Sequence, residues 1–504
     1  MNAHELPILL DRASELPLAA QLATALRRAI LGGILRHDEA LPSTRALAAS
    51  VRVSRGTVVS AYDQLAGEGY LLARPGSATR ILVDRPAPST PPPARVRRGP
   101  MSPATPPHAD PAKQPASPSS MIDLSPGRPA TGTLADAAWT SAWRAALAAS
   151  VRNDVPPALG EPGLRAAIAE HLRRVRGLNC TADDVIVTAG TSDALACIGL
   201  ALASPNPAPQ DAAGVPRTAP RIAVEDPGYP TARRVLTRVG GHLIPVSTGA
   251  NGINLAELAA LDPAPQAVLV TPSHQYPLGG SLPVQSRLEL LDWARRTDAL
   301  VIEDDYDSEF RYDTMPLPAV ASLDTDGRVA LVGSFSKTIT PWIRCGYIVA
   351  TGDLGERLRA VRHDLDATVS GVQQLALAHY LRSGGLARNV ARARREYAHR
   401  RTLVIDRLGA LPGVRLAGLD GGLHVVVHLD APAGATADAT TGADASALVA
   451  QAAERGVRVA PLSHYAVLDR GQHGLVLGYG APTDLELSRA LEVLAGLLTG
   501  AAAH

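Results

Sequence analysis

Between Asp84 and Ser120, twelve of 37 residues are proline, and Ser, Thr and Ala fill most of the remainder. No other feature constrains the chain as much. Proline cannot donate to a helix or sheet ladder, and a stretch so poor in apolar residues cannot repay the entropy of ordering. The 504 residues are therefore read as two folding units, 1–83 and 121–504, joined by a spacer at 84–120. In polyproline II form such a spacer reaches on the order of 100 Å. That is enough for the units to move independently or to engage across a dimer. Pro205–Pro220 and Ala431–Ser446 share the composition on a smaller scale and read as surface insertions.

The first unit reads as three helices and a hairpin. Leu18, Leu22, Ala25, Leu26, Ala29 and Ile30 keep a 3.6-residue period up to Gly32-Gly33. Ser43 is placed to cap a second helix through Ala49, buried on Leu47 and Val51, and Ser54 to cap a third. In the third, Val58, Tyr62 and Leu65 fall on one face, and Gly67 and Gly69 end it. LLARPGSATRILV then alternates about a Pro-Gly turn as a two-stranded wing. The free faces hold Arg45, Arg55, Gly56 and Val59. Two short helices and a wing are the arrangement that sets one helix in a major groove. A three-helix protein-binding domain with ordinary surface arginines is the alternative, because nine basic residues face seven acidic ones here.

LPSTRALAASVRVSRGTVVSAYDQLAGEGYLLARPGSATR resembles the winged-helix domain of the GntR family of bacterial transcription regulators. The resemblance implies double-stranded DNA as partner, contacted by Arg45, Ser54, Arg55, Thr57 and Gly76. Arg52 stands where that family often has Gly in the turn, and Ala78 replaces a wing Gly. A left-handed conformation at Arg52 would cost about 1 kcal/mol.

Charge excludes one class of partner relation. Lys+Arg number 49 against 48 Asp+Glu, so bulk-charge coating of nucleic acid is ruled out, though a local patch is not. Two of the 49 are lysines, Lys113 in the spacer and Lys337. The cysteines, Cys180, Cys197 and Cys345, are odd in number and far apart, which argues against disulfides or a Cys-based zinc site. No metal-ligand or P-loop spacing is found, and the histidines read as surface or core residues. MNAHELPILLDRASE lacks a signal pattern and no apolar run approaches a membrane span, so a cytoplasmic location with no membrane contact is expected.

From Ile122 onward, DVIVT, RIAVED, HLIPV, AVLVTPS, LVIEDD, VALVGS and GYIVA alternate with helical patterns such as Leu164–Arg174 and Arg287–Arg296. This predicts an α/β unit with a mostly parallel sheet covered on both faces. Ligands in such sheets bind beyond the carboxyl ends of the strands. Thr191-Ser192, Asp226 to Tyr229, Ser273 to Gln275, Asp304 to Tyr306 and Ser334 to Lys337 lie there. Singly, EDDYDSE could be a solvated turn, SFSK a surface turn and GTSDAL a helix start. Together they suit an anionic, aromatic, aldehyde-bearing cofactor, pyridoxal 5′-phosphate. Its aldehyde needs a primary amine, which Lys337 supplies and arginine cannot. Asp304 suits the ring nitrogen. Thr191 and Ser192 at a helix start, with Ser334, Ser336 and Arg344, suit the phosphate. Tyr229 offers a stacking face and Tyr306 a hydroxyl near the ring O3′.

LVIEDDYDSEF, LVGSFSKTITPWIRCGYIVA, AVEDPGYPTAR and TPSHQYPLGG look like the fold-type I aminotransferases. More closely they are similar to the effector domain of MocR-type regulators, a GntR subfamily joining both units. The resemblance implies Lys337 as Schiff-base lysine, Asp304 on the pyridine nitrogen, Tyr306 near O3′, Tyr229 stacked, and Ser334, Ser336 and Arg344 on phosphate. It also implies a domain-swapped homodimer and a small-molecule effector, either pyridoxal phosphate or an amine. Two departures bear on activity. Tyr276 takes the place of an Asn, and Val476 the place of the Arg that clamps a substrate carboxylate, with Arg458 or His464 as substitutes. The expected function is a transcription regulator. A working aminotransferase with an appended DNA-binding domain and a cofactor-free dimerisation module remain open beside it.

Overall fold

A computed structural model describes residues 8, 10–12, 18–31, 34–67, 70–72, 79–82, 121–132, 134–149, 152–203, 219–312, 318–366, 368–429, 445–468 and 473–502. The spacer, Gly76, Ala78 and nearly all of both Pro-rich insertions lie outside the described residues.

Helices α1 (Leu18–Leu31), α2 (Thr44–Val51) and α3 (Arg55–Gly67) precede the short antiparallel strands β1 (Leu71–Leu72) and β2 (Arg80–Ile81). Leu22, Leu26, Leu47, Val58 and Leu65 are fully buried at their centre. Ser43 Oγ accepts from the Ala46 amide at 3.2 Å, and Ser54 Oγ from the Thr57 amide at 3.1 Å, so both caps form as their spacing predicts. Arg52 ends α2 at φ 54°, ψ 48°, the left-handed conformation that the missing glycine would have eased. This core also takes in Val284, with Leu288 packed against it, both from the helix Val284–Thr297 of the larger unit.

The larger unit is built on an eight-stranded sheet. Its order is Val185–Thr188, Gly346–Val349, Val329–Ser334, Leu300–Asp305, Ala267–Val270, Arg221–Asp226, His242–Gly249 and Gly252–Ile253. All seven expected strands are present. The neighbours from Val329–Ser334 through His242–Gly249 run parallel, whereas Gly346–Val349 runs against both of its neighbours. Both faces are covered, because successive side chains of a strand go to opposite cores. Ile222, Val224, Leu269 and Ile302 enter one apolar cluster, and Ala223, Val268, Val270 and Val301 another. A second sheet, wholly antiparallel, packs Val414–Ala417, His424–Leu429, Gly474–Gly478 and Ala460–Pro461 in that order. Among the described residues no helix is long and apolar enough to cross a membrane.

Candidate functional site

Beyond the carboxyl ends of the parallel strands lies a cavity of about 200 Å³. Thr191, Ser192, Tyr229, Asp304, Tyr306, Ser334, Ser336, Lys337 and Arg344 all line it, joined by Pro126, Gly127, Thr271 and Tyr276. The sheet therefore brings together every cofactor-site residue expected from the sequence. Residues separated by up to 153 positions, Thr191 to Arg344, meet because they lie at or just after the ends of four strands of the one sheet, Val185–Thr188, Arg221–Asp226, Leu300–Asp305 and Val329–Ser334.

The acidic run EDDYDSE is buried rather than solvated. Strand alternation sorts its members. Asp305 turns to Arg176, whose Nε lies 2.8 Å away, and Glu303 accepts the amides of Val320 and Ala321. Asp304 projects the other way, into the cavity. Burial foremost, then Asp305, pushes the Asp304 carboxyl up to about 7, and Lys337 opposes them. Its Oδ1 has no hydrogen-bond partner among the described residues. Lys337 donates to the carbonyl of Gly127, and burial draws its ammonium down against the opposing fields of Asp307 and Asp304.

The other end of the cavity is made of donors. The helix Thr191–Leu202 starts from Gly190 at φ 98° with no side-chain cap among the described residues, so the amides of its first turn, at Thr191 and Ser192, are suited to an anion. Arg344 lies against that turn; a Cβ on Gly190 would sit 3.6 Å from its Nη1. Arg344 itself holds φ 39°, a conformation that costs a non-glycine residue about 1 kcal/mol or more. Asp193, the acid in the helix's first turn, is neutralised by buried Arg362 at 3.0 Å.

Donors at one end, the start of the helix Thr191–Leu202 and Arg344, and the Asp304 carboxyl at the other bound a space walled by Tyr229, Tyr276 and Tyr306. These features fit pyridoxal phosphate: anion on the helix start and Arg344, ring nitrogen toward Asp304, aldehyde toward Lys337. Tyr276 sits at the centre of the aromatic wall, 5.7 Å centroid to centroid from both Tyr229 and Tyr306, and 5.4 Å from Tyr465. Val476 is fully buried in an apolar cluster with Val426, Leu462 and Tyr465, against which Tyr276 packs. Neither substitute reaches the cavity wall. Arg458 pairs with Asp123 at 3.5 Å, and exposed His464 stacks edge-on against Tyr465. Among the described lining residues Arg344 is the one guanidinium.

Sequence reasoning missed the histidines. His274 and His424 are buried beside the cavity, 5.0 Å apart by ring centroid, and with Asp307 they bring one ligand atom each within 4.8 Å of one another. His424 Nε2 donates to the Pro277 carbonyl at 2.9 Å, and burial holds it neutral, with its pKa down to about 3. His274 lies inside TPSHQYPLGG, and its position after a strand end was the one available signal. His424 comes from the second sheet, 150 residues away, with no local signal at all.

In the small unit Arg45, Ser54 and Arg55 are exposed, with Thr57 half-buried at the start of α3. Ser54 and Thr57 hydroxyls lie 2.8 Å apart, and Arg55 Nε donates to Thr44 Oγ1 at 3.4 Å. These four share one edge of the helix pair, and Gly76 lies outside the described residues.

Residues 18–81 match the bacterial regulatory proteins of the gntR family, and residues 119–494 match aminotransferase class I and II. The pyridoxine biosynthesis regulator PdxR of Corynebacterium glutamicum is 40% identical over 477 residues, 95% of each chain. The probable rhizopine catabolism regulatory protein MocR of Rhizobium meliloti is 32% identical, covering 94% of this chain and 92% of its own. Among solved structures, kynurenine aminotransferase of Pyrococcus horikoshii superposes with a TM-score of 0.65 at 22% identity, over 76% of this chain and 91% of that one. The α-aminoadipate aminotransferase LysN of Thermus thermophilus gives 0.65 at 23%, over 76% and 94%. Those two likenesses establish the fold-type I aminotransferase architecture.

Proposed function

This chain belongs to the MocR/PdxR-type transcription regulators, which join a GntR helix-turn-helix domain to an aminotransferase class I and II domain, and on that premise we propose that it binds pyridoxal phosphate at Lys337 and regulates transcription in response to it. The division is DNA-binding unit 1–83, spacer 84–120 and effector unit 121–504, acting in the cytoplasm as a homodimer on paired half-sites. The observation that carries the reading is a half-buried primary amine sharing a cavity with a buried carboxyl, one of whose oxygens has no partner among the described residues, and with a helix start and an arginine at the far end.

When bound, pyridoxal phosphate supplies an aldehyde that condenses with a primary amine, and a ring that withdraws electrons. Asp304 would hold a proton on the ring nitrogen, Thr191, Ser192, Ser334, Ser336 and Arg344 would bind the phosphate, and Tyr229 would offer an aromatic face to the ring. Lys337 would supply the amine, and burial makes it less basic than a free lysine. A substrate carboxylate finds no second guanidinium among the described residues of the cavity wall, and without that bidentate clamp amino acids are oriented poorly for turnover. This favours the cofactor itself as the signal, and the name of the PdxR relative supports a link to pyridoxine synthesis.

The response is carried to DNA by a population shift, which requires different cofactor affinities in the two arrangements of the molecule. Purified protein mixed with pyridoxal phosphate should develop a visible absorption band that Lys337→Ala abolishes. Double-stranded DNA selected from a random pool should bind wild type with an affinity that pyridoxal phosphate changes and that Lys337→Ala leaves unresponsive. An absent band, or DNA binding indifferent to the cofactor, overturns the reading. Multiple turnover with an amino donor and a keto acceptor would instead establish an aminotransferase.

A further inference from the structure

The side chains behind Tyr306 decide where its hydroxyl proton goes. His274 Nδ1 lies 2.9 Å from Asp307 Oδ2 and also 2.9 Å from Tyr306 Oη. One ring nitrogen can offer either a hydrogen or a lone pair, never both. If Nδ1 carried a lone pair, Tyr306 would donate to it, but an ionised Asp307 would face it with no hydrogen between. If Nδ1 carries the hydrogen, Asp307 accepts it, and Nδ1 has no lone pair left to accept the Tyr306 hydroxyl hydrogen.

A second observation selects between these states. His274 Nε2 is buried and has no partner among the described residues. As N–H it would be an orphaned donor, the costlier form of an unsatisfied polar group; as a bare lone pair it is tolerated more easily. Both ends of the ring therefore call for the Nδ1–H tautomer. The arrangement is also held in place. Gly422 sits at φ 75°, and a Cβ there would come within 2.3 Å of His274 Cε1 and 2.6 Å of Asp307 Oδ2. His424 does not compete for the ring, since its own Nε2 is committed to Pro277.

We propose that Asp307 and His274 are positioning residues: the Asp307 carboxylate fixes His274 as the Nδ1–H tautomer, and this leaves the Tyr306 hydroxyl proton free to point into the cavity. There it would donate to the ring oxygen of the cofactor. This rests on the reading of the cavity as a pyridoxal phosphate site. Replacing Asp307 with an apolar residue removes the charged acceptor of Nδ1–H, the stronger of the two constraints, since a hydrogen bond to a carboxylate outweighs one buried N–H left unpaired at Nε2. The Tyr306 hydroxyl then gains Nδ1 as its acceptor, the proton moves to Nε2, and the cavity loses its donor although every atom of Tyr306 is still present.

The full-length protein without added cofactor, labelled with ¹⁵N-histidine, tests the tautomer directly. A long-range ¹H–¹⁵N correlation, assigned by the signal missing in His274→Gln, should show Nδ1–H in wild type and Nε2–H in Asp307→Leu. Should Asp307→Leu fail to fold, Asp307→Ala serves, because it removes the same acceptor and offers no donor or acceptor of its own. Pyridoxal phosphate titrations followed by the visible band supply the second arm. Tyr306→Phe and Asp307→Leu should each weaken binding by about tenfold, and the double variant by no more than either alone. An unchanged tautomer in the Asp307 variants, or losses that add in the double variant, overturns the proposal. A wild-type protein that forms no band overturns the cofactor reading itself, and the tautomer then shows separately whether the proton arrangement exists.

Discussion

Lys337 is one of two lysines among 49 basic residues, and its burial explains why arginine could not replace it there. A guanidinium stays charged in the interior, whereas an amine can give up its proton and react. Asp304 shows the opposite side of the same physics. Its carboxyl is pushed up to about 7, whereas an unfolded chain releases that proton near pH 4. The native state therefore binds more protons between those pH values, and stability falls as pH rises through the window. Asp304→Asn should remove the effect. Without added cofactor, the variant should be more stable than wild type at pH 8, by up to ~4 kcal/mol, and equal to it below pH 4. Thermal unfolding across that pH range checks this, and equal stability at pH 8 would show that Asp304 carries no such strain.

At the scale of elements, the turn between α2 and α3 departs from what its backbone asks for. Arg52 adopts φ 54° with its amide bonded to the Ala48 carbonyl, a position suited to glycine. Arg52→Gly should stabilise the small unit by about 0.5–1 kcal/mol, read as a rise in the midpoint of its denaturant transition. A fall would mean that the arginine side chain contributes more than its backbone costs. Capping followed the sequence closely here, because an N-cap depends only on a hydroxyl and amides two or three residues away. Tyr276 did not. Its place in an Asn-like turn was legible, but its role at the centre of Tyr229, Tyr306 and Tyr465 depends on three separate elements.

For the whole molecule, the contact of the small unit with Val284 and Leu288 offers a route between cofactor and DNA. Thr271 and Tyr276 line the cavity, and the same segment runs on to the helix Val284–Thr297. Buried Arg287 stiffens it, donating to the carbonyls of Leu282 at 2.8 Å and Pro272 at 2.7 Å. Leu288→Glu should leave the visible band and both folded units intact while abolishing the effect of pyridoxal phosphate on DNA affinity. Fluorescence anisotropy with and without the cofactor measures this. A variant that still responds would place the coupling elsewhere.

Local chemistry was readable from the sequence alone. Helix periods, caps and the seven strands all depend on residues near one another along the chain. The cofactor-site residues could be named because strand ends carry them, and family resemblance assigned their roles. The tertiary structure alone decided that Asp305 turns to Arg176, that His274 and His424 stand behind Tyr306, and that Val476 closes into an apolar cluster. Those outcomes depend on strand register and on a second sheet folding back across 150 residues. Burial, which turns Asp304 and Lys337 from surface charges into poised groups, exists only once that packing is complete.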